Sequence, residues 1–186
     1  MKELSLNILD ITQNSIKAGA KNISIFLDED TNYKLTLRII DDGCGMTAEV
    51  VERVKNPFFT SRTTRKVGLG IPFLTLAAEQ TGGGVSIESF SESEYPENHG
   101  TTITATFDLQ HIDFTPLGDM VTTISLLIHG NPGLDFEFRH TKPSAVVELS
   151  TRQMLEVLGE IPLDSPEVIE WIRESLAEQY LTFYGD

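Results

Sequence analysis

The hydrophobic period of this chain switches from helical to extended within its first forty residues, and the extended part ends on Asp41-Asp42-Gly43-Cys44-Gly45-Met46. From Glu3 to Ala18, the polar residues Glu3, Asn7, Asp10, Asn14 and Lys17 recur at alternating steps of four and three, beside an apolar set of Leu4, Ile8 and Ile11. That spacing predicts an amphipathic helix with a polar face. Ile23, Ile25 and Leu27 then alternate with polar residues, Asp28 to Asn32 supplies turn chemistry, and Leu35, Leu37 and Ile39 alternate again. This predicts a two-stranded hairpin. Two acids and two glycines therefore follow directly from a strand.

The rest of the chain continues the alternation of elements. Thr47 is placed to cap a short helix to about Lys55, a loop rich in Thr, Arg and Lys follows, and Ile71 to Gln80 reads as a helix stopped by Gly82-Gly83-Gly84. Strands are expected at 85–89 and 101–108. After Gln110 come a helix at 116–128, the turn Asn131-Pro132-Gly133, strands near 134–140 and 145–150, and helices near 151–158 and 166–180. Elements in this order predict an α+β, two-layer sandwich with helices on one face of a sheet. No repeat or low-complexity segment interrupts it.

Five motifs stand in order along residues 1–110: Asp10-x-x-x-Asn14, Asp41-x-Gly43-x-Gly45, Asn56-Pro57-Phe58-Phe59-Thr60-Ser61, Gly68-Leu69-Gly70 and Gly100-Thr101-Thr102. Any one alone is weak evidence; their order is not. The set resembles the GHKL ATPases and kinases, which include gyrase, the MutL repair proteins, heat-shock chaperones, histidine kinases and anti-sigma-factor kinases. The chain looks like a stand-alone bacterial histidine kinase-like ATP-binding protein. The resemblance implies the Bergerat ATP-binding fold over 1–110, with a mixed, mostly antiparallel sheet and a mobile lid. Residues 111–186 would be a small α/β C-terminal extension of unknown role.

Charge narrows the partners. Twenty-eight acidic residues against 14 basic ones give a formal charge of −14, which repels a phosphate backbone and argues against nucleic acid; a basic or neutral protein partner suits it better. The single cysteine excludes an internal disulfide and a cysteine-built zinc site. With no signal pattern and no long apolar run, a cytoplasmic protein off the membrane is expected.

The resemblance assigns chemistry to particular positions. Asn14 offers a neutral oxygen to Mg²⁺, a hard cation that takes few protein ligands, and Lys17 resembles a phosphate-contacting lysine. Asp10 stands where hydrolysing members carry a glutamate that activates water; one methylene shorter, it tilts the reading toward a kinase or a binder. Asp41 carries an acceptor-only carboxylate suited to the exocyclic amine of adenine, so ATP should be preferred over GTP. Gly43 and Gly45 would leave room for backbone to approach the base or to turn sharply, and Met46 would stand with them in the nucleotide site. Arg62, Arg65 and Lys66 concentrate positive charge where a lid over triphosphate needs it, and Gly68, Leu69 and Gly70 open a helix whose amino terminus suits anions. Thr102 resembles a threonine that reaches adenine.

Other residues carry less. Cys44 reads as packing, the four histidines as surface or turn residues, and Val168, Ile169, Ile172 and Leu176 as an apolar stripe with Trp171 beside it, for the protein's own core or for a dimer or partner surface. The first nucleotide helix begins almost at Met1, so no phosphoaccepting hairpin is expected ahead of it. The expected function is therefore a Mg-ATP-binding regulator that phosphorylates or regulates a partner in trans. The alternatives are a slow ATPase with lid or homodimer switching, and an ATP sensor without turnover.

Overall fold

The computed structural model describes residues 3–55 and 70–185. The motif at Asn56 to Ser61, the cations Arg62, Arg65 and Lys66, and Gly68 and Leu69 lie outside them. In chain order the elements are α1 (Leu4–Lys17), β1 (Asn22–Glu29), β2 (Lys34–Asp41), α2 (Ala48–Lys55), α3 (Gly70–Glu79), β3 (Gly84–Phe90), β4 (Gly100–Asp108), α4 (Met120–Gly130), β5 (Asp135–Lys142), β6 (Ala145–Ser150), α5 (Thr151–Leu158) and α6 (Pro166–Tyr184). The fold is α+β, as expected.

Six strands form one sheet in the order β3-β4-β2-β1-β5-β6. Every neighbouring pair is antiparallel except β1 with β5. Period-two patterning fixes the register, because a slip of one residue would turn an apolar row to the wrong face. Ile87, Ile103, Ile39, Ile25, Phe138 and Leu149 stand opposite one another in turn and make one buried row across all six strands. Leu4, Ile8 and Ile11 of α1, Leu74 of α3, Ile124 and Leu127 of α4, and Ile172 and Leu176 of α6 join the same core. Each such side chain contributes about 1.5–3 kcal/mol on burial.

Residues after 110 are built into this sheet. A parallel pair needs a crossover, and α4 supplies it between β4 and β5. The tail also ends α1. Glu3 makes no side-chain cap, and the first free N–H groups of α1, on Leu4 and Ser5, donate instead to the carbonyls of Pro116 (2.9 Å) and Leu117 (2.8 Å). For this reason α4 begins at Met120 rather than near 116. Asp119 caps it, accepting from Thr122 N at 2.8 Å and Thr122 Oγ1 at 2.6 Å.

The histidines are not all surface residues. His140 occupies an inward position of β5 with no exposed surface; its Nε2 lies 2.9 Å from Glu29 Oε1 and its Nδ1 3.1 Å from Tyr180 Oη. The α6 stripe divides as well: Val168, Ile172 and Leu176 are buried, while Trp171 is 54% exposed.

Candidate functional site

β2 delivers Asp41 on the inward, helix-covered face, in the same parity as Leu37 and Ile39. There it meets α1. Ser15 Oγ donates to Asp41 Oδ2 at 2.6 Å, and Gly43 N donates to Oδ1 at 2.9 Å. Burial pushes the Asp41 carboxyl above the ordinary aspartate value, against the opposing effect of those two donors. The neighbouring Asp42 goes the other way. Partial burial would raise it, but the backbone N–H groups of Asn22 (2.9 Å) and Lys21 (2.7 Å) and the Asn22 side chain (2.6 Å) outweigh that and hold it low. Asp42 is thus a structural anchor, and Asp41 is the carboxylate kept at an energetic cost.

The loop after Asp41 is set by close backbone approaches. Cys44 N donates to Ala18 O at 2.9 Å, and Glu92 N donates to Cys44 O at 2.9 Å. Gly45 has a positive φ of 62°, and a Cβ there would stand 1.9 Å from Phe90 O. Only glycine permits that strand to pass so near. Gly43 lies against Ala18, where a Cβ would be 3.0 Å from the Ala18 Cβ and from Asp41 Oδ1. Met46 N donates to Ser89 Oγ at 2.8 Å, and His99 Nδ1 donates to Gly43 O at 2.7 Å. Cys44, read from sequence as a packing residue, is exposed instead.

α1 carries the remaining groups past this loop. Asp10 and Lys17 are exposed and Asn14 is half-buried; among the described residues their side chains make no hydrogen bond or ion pair. Asn7, one turn earlier, departs from that polar face: it is buried, with Oδ1 unpartnered. Gly70, the first residue of α3, packs on Asp10 so closely that a Cβ there would lie 3.0 Å from the Asp10 Cβ. Along the helix, Asp10 and Ser15 are about 7.5 Å apart. The unpartnered face therefore runs from the Asp41 loop to the start of α3.

Thr102 is not brought to Asp41. It pairs with Ile40 on β2 and so belongs to the outer face of the sheet, whereas Thr101 stands opposite Asp41 on the inner face and its hydroxyl lies 2.8 Å from Ser89 Oγ. Ser15 and Ser89 escaped the sequence reading, Thr101 stood in it only as the middle of Gly100-Thr101-Thr102, and His99 only as a surface or turn residue. Two of them had a signal. Ser15 continues the buried stripe of Leu4, Ile8 and Ile11, where a polar residue is out of place, and Thr101 directly follows Gly100, whose φ of 140° brings it against Asp41 O.

A nucleotide fits this donor set: an acceptor-only carboxylate at a glycine-shaped turn, then an amide, a carboxylate and an ammonium without partners among the described residues. No cluster of three or more acidic, histidine or cysteine side chains suited to a metal occurs among the described residues. No helix among them is long and apolar enough to cross a membrane.

Residues 2–111 match the family described as histidine kinase-, DNA gyrase B-, and HSP90-like ATPase. Over 55 residues the chain is 40% identical to the DNA mismatch repair protein MutL of Clostridium perfringens, a stretch that covers 30% of this chain and 8% of that protein. The structure is similar to the Aquifex aeolicus MutL ATPase domain complexed with ADP, with a TM-score of 0.54 and 13% identity, over 94% of this chain and 88% of that one. It is also similar to the N-terminal domain of a DNA repair protein, with a TM-score of 0.57 and 16% identity, over 86% of this chain and 58% of that one. At those identities the two structures bear on the fold, and most of residues 111–186 share in the likeness.

Proposed function

This chain belongs to the family of histidine kinase-, DNA gyrase B- and HSP90-like ATPases, and we propose that it is a cytoplasmic, histidine kinase-like regulatory protein that binds Mg-ATP and acts on a partner protein in trans. The observation that carries the reading is the Asp41 carboxylate, desolvated yet held by Ser15 and Gly43 beside the unpartnered face of α1. An ionised carboxylate only accepts, so it selects the exocyclic amine of adenine against the carbonyl of guanine. Asn14 would offer its oxygen to Mg²⁺, which supplies charge neutralisation to the phosphates, and Lys17 would contact phosphate. Gly70 lets the start of α3 approach Asp10 closely.

A second reading, slow hydrolysis, rests on Asp10, whose exposed carboxylate has no partner among the described residues and can reach a water. Nucleic acid is outside the proposal, since the charge of −14 opposes it.

The test measures Mg-ATP and Mg-GTP binding to wild type and Asp41→Asn. Loss of a charge-assisted hydrogen bond should weaken ATP by about tenfold to a hundredfold, leave GTP weak in both proteins, and spare the fold. Equal affinity of wild type for ATP and GTP would remove the assignment. The fate of γ-label then separates the chemistries: transfer to a partner marks a kinase, free phosphate an ATPase, and intact bound ATP a sensor.

A further inference from the structure

α5 and α6 stand beside the outer strand β6 and leave a half-open groove of about 680 Å³. That volume lies within the range of ligand and anchor pockets, about 300–1,000 Å³. Every lining residue falls between 137 and 179, outside the segment that matches the ATPase family. The groove is therefore separate from the Asp41 site.

Its apolar wall is formed by Leu149, Met154, Val157, Leu158 and Trp171. α6 turns two faces in different directions: Val168, Ile172, Leu176 and Phe183 are buried in the core, while Trp171, Ser175 and Gln179, at steps of four, line the groove. Val157 is 87% exposed and Trp171 54%. An exposed tryptophan beside exposed aliphatic residues is the composition of a binding anchor site.

Two observations identify the occupant. The first is at the backbone of β6, where Gln179 Oε1 accepts from Glu148 N (2.9 Å) and Gln179 Nε2 donates to Glu148 O (3.2 Å). This side chain fills the outward peptide group at the middle of the edge strand, so an added strand is blocked there and a helix is the form that fits. The second is charge. Residues 111–186 hold thirteen acidic and four basic side chains, a net −9 out of the chain's −14.

The four basic side chains are already engaged. Arg152 bonds Asp135 and Asn22, Arg139 stacks over Phe26, Lys142 lies over Phe183, and Arg173 acts on Asp119. Glu148 lines the groove, Glu156 precedes Val157, and Glu174 and Glu178 follow Trp171 and Ser175 by three residues on exposed helix surface. None of these four glutamates makes an ion pair among the described residues, although Glu156 attracts Arg152 one turn before it, so Glu148, Glu174 and Glu178 are the most available.

We propose that this groove docks a basic amphipathic helix of a partner protein, with its apolar face on Trp171, Met154, Val157 and Leu158 and its lysines or arginines toward the glutamates. It gives a chemistry to the partner of the function proposed above, and it is tested without nucleotide so that the two can fail separately.

Trp171 is the chain's single tryptophan and reports on the groove directly. The probe is a short synthetic helix of leucine and lysine with its leucines on one face, titrated into the full chain while Trp171 emission is followed. A control peptide has the same composition with leucines dispersed, and a second control carries glutamate in place of lysine. A saturable blue shift is expected, with affinity about tenfold better than for the dispersed peptide. High salt should weaken it. Val157→Asp should weaken it about tenfold while the melting temperature and Mg-ATP binding stay unchanged. Silent Trp171 emission, equal binding of the dispersed peptide, or equal binding of the acidic peptide each overturns the proposal. So does an emission shift that tracks the protein's own concentration and disappears in Val157→Asp, which would make a second copy the occupant.

Discussion

Polar side chains are treated differently in the two halves of this sheet. In residues 3–110 the side chains of Asp10, Asn14 and Lys17 make no hydrogen bond or ion pair among the described residues, and Asp41, half-buried, is kept at a cost. In residues 111–185 polar groups are mostly used on one another and on the first half. His140 bridges Glu29 and Tyr180, Thr151 Oγ1 accepts from Phe136 N at 2.8 Å, Gln179 fills the edge of β6, and Asp119 caps α4. The carbonyls of Pro116 and Leu117 go further and satisfy the start of α1 itself. The difference teaches that the unsatisfied face of α1 is supported from outside the segment that carries the motifs. A site can keep free polar groups where a neighbouring region supplies the stability they do not.

If the tail is a buttress, the two halves must unfold together. Phe138→Ala is the strongest way to break that statement. Phe138 is 1% exposed and stands between Ile25 and Leu149 in the buried row. Its truncation should cost about 3–5 kcal/mol. Trp171 emission, which reports the tail, and Mg-ATP binding, which reports the site, should be lost at the same denaturant concentration in wild type and variant. Two separate transitions would show that residues 111–186 fold as a unit of their own.

Elements with a clear period were legible in the sequence, and so was the turn at 41–46, because helices, strands and glycine turns are local matters. What depends on pairing was not. The parallel contact of β1 with β5 joins Asn22 to Asp135, and no local pattern announces it. Thr101 and Thr102 look alike until the register with Asp41 assigns one to each face. His140 reads as a strand histidine, and only the arrival of Glu29 and Tyr180 from distant elements gives it a buried role. The start of α4 was misplaced for the same reason, since Pro116 and Leu117 are committed to α1. Cys44 departs from its reading because the loop's backbone, not its side chain, makes the packing contacts.

The site half can be challenged through its backbone. Gly45→Ala places a Cβ against Phe90 O at a positive φ, so β3 or the loop must shift. A loss of about 2–3 kcal/mol is expected, with a larger proportional loss in nucleotide affinity than Phe138→Ala shows at matched stability. Chemical denaturation and a nucleotide titration on both variants measure this. Equal proportional losses would mean that the turn is structural only.

The smallest effect probes the tail's own capping. The Thr122 side chain and N–H hold the Asp119 carboxyl below its ordinary value, against a small opposing effect of burial. Asp119→Ala should cost about 1 kcal/mol at neutral pH, the usual value of a lost helix cap. The sign with pH follows from the lowered value. A carboxylate whose pKa is depressed on folding contributes stability that is present above the unfolded value of 3.8 and is lost as pH falls through the lower, folded value. The gap between wild type and Asp119→Ala should therefore close as the solution is acidified through that window. A gap that stays constant would mean that the neutral acid caps α4 as well as the anion does. Because α4 follows directly on the segment that caps α1, the variant should also loosen the amides of Leu4 and Ser5 in hydrogen exchange. If those amides keep their protection, the two caps are independent, and the tail supports α1 through Pro116 and Leu117 alone.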